Sequence, residues 1–148
     1  MDQPTTFLTV LERLAALQRQ IPGVKVALPG YLILPAQFPA FTNRVASMTP
    51  AYLTGMVRET WTVAMRLLVG TLETGYAGQI EESLYALMRA VPAHFAARPR
   101  LDLDGQPLVG LGGPAVVGAC TGIQPFNDGL YAHIGAEFLL TIPLIARF

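Results

Sequence analysis

The stretch LYAHIGAEFLLTI, residues 130–142, decides how the chain is read. Its even positions are Leu130, Ala132, Ile134, Ala136, Phe138, Leu140 and Ile142, all apolar. Its odd positions include Tyr131, His133, Gly135, Glu137 and Thr141. Such alternation is the period of a β-strand, whose successive side chains point to opposite faces. The spacing predicts a long half-buried strand, with the even residues in the core and Tyr131, His133 and Glu137 toward solvent. Asn127-Asp128-Gly129 ahead of it is turn chemistry. Residues 115–124 read as a partner strand, so the chain is expected to close in a C-terminal β-hairpin.

Upstream lies VGLGGPAVVG, residues 109–118, with Gly110, Gly112 and Ala115 in the order G-x-G-x-x-A. A dinucleotide turn of that form needs a helix directly after it, because the helix N-terminus holds the pyrophosphate. Here Val116, Val117 and Ile123 favour strand, while Gly118 and Gly122 disfavour helix. The glycines are therefore expected to serve bends, bulges or close backbone packing. Asp102-x-Asp104-Gly105 lacks the further oxygen ligands and closing glutamate of a calcium loop, so it reads as a hairpin turn.

The same alternation appears in ETWTVAMRLLV, residues 59–69. Trp61, Val63, Met65, Leu67 and Val69 share one face of this strand, and Thr60, Thr62, Ala64 and Arg66 the other. Two segments follow the helical period instead. Phe7, Val10, Leu11, Leu14, Leu17 and Ile21 predict a helix over 5–20, with Thr5 or Thr6 as its cap and Pro22-Gly23 as its stop. Ile80, Leu84, Leu87, Met88 and Val91 predict a second over 78–91, perturbed by Pro92. Residues 24–35 contain two short β-rich runs around Pro29-Gly30.

Residues 36–57 show neither period, and so read as a long loop. It carries Phe38, Phe41, Arg44, Met48, Tyr52 and Met56. Two readings stand side by side: a contact arm, or apolar residues folding back onto the core. Together these elements predict one α+β domain over 1–148. Two helices would pack on one face of a mostly antiparallel sheet of four to five strands.

Composition narrows the function. Hydrophobic residues make up 52% of the 148 and charged residues 14%. Soluble domains average about a quarter charged. So little polar surface implies apolar area covered by partners, including copies of the chain itself. Ten basic and ten acidic side chains cancel, with no basic cluster of the kind that grips nucleic acid. The uncharged run from Gly105 to Asn127 is too rich in glycine and proline for a membrane helix. No signal peptide is legible at the N-terminus.

Catalytic chemistry is hard to assemble. His94, His133 and Cys120 have no zinc-ligand spacing. On one strand face, His133 and Glu137 would stand about 13 Å apart, too far for a hydrogen-bonded pair. Cys120 could face His133 across the hairpin as a nucleophile pair, which with the 109–118 loop is what an enzyme or ligand-binding domain would use. The reading assigns no catalytic, cofactor-binding or metal-binding residue, and expects a protein that is not an enzyme.

The order of elements carries a resemblance. LERLAALQRQIPGVKVALPGYLILP, RETWTVAMRLLVG, GQIEESLYALMRAVP and CTGIQPFNDGLYAHIGAEFLLTIP are similar to segments of a known family. That family is the tail terminator, or tail completion, proteins of long-tailed non-contractile bacteriophages (siphoviruses). The resemblance implies a structural virion protein, assembled in the host cytoplasm. It implies a ring, typically of six copies, at the head-proximal end of the tail. Its partners would be other copies, the tail tube protein and a head-completion or connector protein, with DNA passing unread through the lumen. Connector and other minor tail proteins share such patterns, and a small α+β enzyme or ligand-binding domain is the alternative of another class. Exposure logic marks Phe41, Arg44, Met48, Tyr52, Met56, Tyr131, His133 and Glu137 as interface residues.

Overall fold

The computed structural model describes residues 6–31, 35, 37–71, 77–127 and 132–147. The elements run α1 Phe7–Arg19, β1 Val26–Leu28, β2 Ala40–Leu53, β3 Met56–Thr71, α2 Ala77–Ala96, β4 Val116–Cys120, β5 Gln124–Asn127 and β6 Ala132–Arg147. The fold is α+β, with two helices and a mixed sheet of six strands among the described residues. The sheet order is β1-β2-β3-β6-β4, and β5 also pairs with β6. Among the described residues only the β1–β2 pair is parallel; the other pairs are antiparallel.

Alternation positions the core as the sequence requires. Val63, Met65 and Leu67 of β3 stand opposite Leu140, Phe138 and Ala136 of β6. All six are fully buried, in one cluster with Val10, Leu14 and Leu17 of α1 and Leu84, Leu87, Val91 and Phe95 of α2. Thr6 caps α1, its hydroxyl accepting from the Thr9 amide. α2 runs past the expected end at 91 and continues through Pro92 to Ala96. Buried Val91 and Phe95 flank the missing hydrogen bond and hold both halves in the core.

Gly135 shows why β6 carries a glycine between inward-facing residues. A Cβ built there would collide with the Leu67 carbonyl oxygen, next to the bulge between Leu68 and Gly70. The two central strands approach closely at this point, and only glycine permits it. A second device ties α1 to the sheet. Gln18 and Asn43, both buried, exchange two side-chain hydrogen bonds of 2.7 and 2.9 Å. The Asn43 amide also donates to the Leu28 carbonyl at 2.9 Å, so the group fixes α1, β1 and β2 together.

Two expectations need correction. Residues 36–57 are not a loop: most of them form β2 and the turn into β3. Pro50 and a bulge between Val45 and Ser47 break the period that would have shown a strand. The sheet also has six strands rather than four to five. β2 adds one where a loop was expected, and the partner of β6 is split in two, with Thr121 bridging the gap. Its amide donates to the Glu137 carbonyl at 2.9 Å, and its hydroxyl accepts from the Glu137 amide at 2.9 Å. The second run of 24–35, at 31–34, lies mostly outside the described residues, as does the turn between β5 and β6. Among the described residues, no helix is long and apolar enough to cross a membrane.

Candidate functional site

β2 changes character along its length. Ala40 through Asn43 are buried, whereas Val45 through Leu53 are all exposed. β1 pairs with Ala40, Phe41 and Thr42, and the Asn43 backbone amide donates to the Gly30 carbonyl at 3.2 Å; beyond Asn43, β2 has no second strand neighbour among the described residues. From there it runs on as an arm paired to β3, with Leu53 opposite Met56 at the Thr54-Gly55 turn. β6 supports the other side of β3 out to the pair Met56–Arg147. Pro50 sits where an edge tolerates it, since a proline cannot donate to a further strand.

The arm exposes large apolar side chains. Met48 is 40% exposed, Tyr52 75% and Leu53 55%. Met48 and Tyr52 therefore meet the exposure expected of interface residues, and Met56 is half-buried. Phe41 does not: it is fully buried, packed in the core. Its apparent exposure came from reading the segment as a loop.

The opposite edge of the sheet is β4 with the glycine-rich segment before it. Four of the five β4 residues are exposed, Val116 at 53%. Gly110 takes a left-handed φ of 95°, and Gly112 packs so closely on Ile145 that a Cβ would lie 2.6 Å from its side chain. The Gly112 carbonyl accepts from Arg58 at 3.2 Å. These glycines turn the chain tightly over β6, and strand β4 follows them, paired antiparallel to β6. The geometry is that of a sheet edge, not of a phosphate-cradling turn. The Asp104-Gly105 dipeptide closes a tight turn, with reciprocal 2.9 Å bonds between Leu103 and Gln106.

Two of the polar interface candidates, Arg44 and Glu137, meet around Arg66. Arg66 stands directly opposite Glu137, and its Nε and Nη2 each lie 3.2 Å from Oε2. Arg44 Nη2 approaches Oε1 at 3.9 Å. The Arg66 guanidinium also lies 4.2 Å from the centre of the Phe126 ring. Glu137 is mostly covered, so its first role is to hold these arginines. Arg66 was missed as a site residue, although alternation already placed it on this face; its pairing depends on a register the sequence hides. His133 is not on a solvent face, as expected, but buried, with the Phe38 ring 5.2 Å away. Tyr131 lies outside the described residues.

The register also separates the proposed nucleophile pair. Cys120 stands opposite Phe138, and His133 opposite Phe126. Along β6 that is five positions, about 17 Å at strand rise. Although Cys120 is exposed overall, partial desolvation of its sulfur pushes the thiol up, the reverse of what an activated nucleophile needs. Its Sγ donates to the Thr121 carbonyl at 3.2 Å. Among the described residues, no group of three His, Cys, Asp or Glu is placed to hold a metal ion. In comparison with known proteins, no family model matches the chain, and no curated protein matches it.

Proposed function

We propose that the chain is a structural subunit that assembles with its own copies into a ring of about six and terminates the tail of a siphovirus. The observation that supports this reading most is the arm: uncharged and largely apolar from Val45 to Val57, yet exposed through most of its length. Surface of that kind is ordinarily covered in a working assembly. In this reading both helices cover one face of the sheet, and β5 and β6 close as the C-terminal hairpin. The ring caps the tail tube inside the host cytoplasm and offers its far side to a head-completion or connector protein. A net charge of zero suits a lumen through which DNA passes without being gripped. The protein performs no catalysis and holds no cofactor.

The test is polymerisation of the cognate tail tube protein with and without the chain, followed by negative-stain microscopy. Tubes of bounded length ending in a ring are expected. Unbounded tubes with bare ends would overturn the proposal.

A further inference from the structure

Two long stretches, Val45–Val57 and Gly105–Asn127, carry none of the chain's ten basic and ten acidic side chains. The fold sends them to opposite edges of one sheet. The first builds the free length of β2 and the arm turn; the second builds β4 and the glycine-rich segment before it. Both are exposed, with Val45, Met48, Tyr52 and Leu53 at one edge and Val109 and Val116 at the other.

We infer that these two edges are the two halves of one interface, the β2 arm of one copy packing on the β4 edge of the next. This rests on the self-association in the reading above, not on attachment to a tail. Three observations favour a second copy as the occupant. Neither edge segment carries a charge of its own, and the nearest charges on the arm hairpin, Arg58 and Glu59, belong to β3 rather than to the edge strand. Both are apolar at the surface, so contact removes area from water on both partners. They lie on different sides of the subunit, so pairing is head-to-tail and propagates until a ring closes. Side chains carry the contact rather than a continuous hydrogen-bonded ladder. Pro50 interrupts the donors of the first edge, and a bulge between Val117 and Ala119 interrupts the second.

The experiment uses sedimentation velocity on the whole chain and two charge insertions, Tyr52→Glu and Val116→Glu. Both sites are exposed, so both variants should fold; Ala119→Lys on β4 replaces the second if it does not. Wild type should associate beyond the dimer. Each variant alone should lose association by at least about tenfold in apparent Kd. An equimolar mixture should form a dimer and stop there, because it contains one intact arm and one intact β4 edge. Three results overturn the inference: monomeric wild type at the highest soluble concentration, variants that assemble like wild type, or a mixture that stays monomeric. If the chain caps tubes while both variants still assemble, the edge pairing fails and the tail reading stands. Edge pairing without capping gives the reverse.

Discussion

The two halves of β2 are one strand in two environments. Phe41, Thr42 and Asn43 lie between β1 and β3, with α1 against them through Gln18, and are almost free of water. Ser47 through Leu53 keep the pairing to β3 but lose β1 and the helix, and every one is exposed. The first half is held by burial. The second is held by cross-strand pairing to β3, which β6 braces from its other side. Stability is therefore expected to concentrate in the first region and association in the second.

The largest effect should come from the centre of the buried region. Phe138→Ala removes a fully buried ring and should cost about 3–5 kcal/mol, read from urea unfolding. Gly135→Ala should cost about 1–3 kcal/mol, because its Cβ meets the Leu67 backbone, which cannot swing aside. Asn43→Ala should cost a similar amount, about 1–3 kcal/mol, since it strands the buried Gln18 amide. An Asn43→Ala variant as stable as wild type would remove the amide pair from the account.

A smaller effect should follow acidification. Burial, with the Arg98 guanidinium beside it, holds the His94 imidazole below its ordinary value. The unfolded chain then takes up the proton more readily than the folded one. Stability is fully present above about pH 6.5 and falls as pH drops below it. His94→Asn should flatten that part of the thermal-melting profile; an unchanged slope would assign it to other groups.

The smallest stability effect belongs to the arm. Tyr52→Ala should change unfolding by less than about 0.5 kcal/mol while weakening association. A large loss of stability there would erase the distinction between the two halves.

The same contrast explains what was legible in the sequence. β6, β3 and both helices were readable because each sends apolar residues into the core at a regular spacing, which imprints a period. The arm was not, because both its faces meet water and its side chains need no alternation. Phe41 was misplaced for that reason: it belongs to the short dry half of a strand whose wet half hides the pattern. His133 was misplaced for a different one. Alternation placed it on a solvent face, but it is buried, with the Phe38 ring, from a segment distant in sequence, 5.2 Å away. The Arg66–Glu137 pair needed the register of β3 on β6, which side-chain periods alone do not supply.

The most direct test of the central claim, that the arm is covered by another copy of the chain, is hydrogen exchange on wild type. Backbone amides of β2 would be followed from dilute to concentrated protein, with light-scattering mass recorded on the same samples. The account predicts that mass rises and that amides between Val45 and Leu53 slow with it, while those of Phe41 and Asn43 stay slow throughout. Rising mass with unchanged exchange along the arm, or constant mass at every concentration, would contradict it.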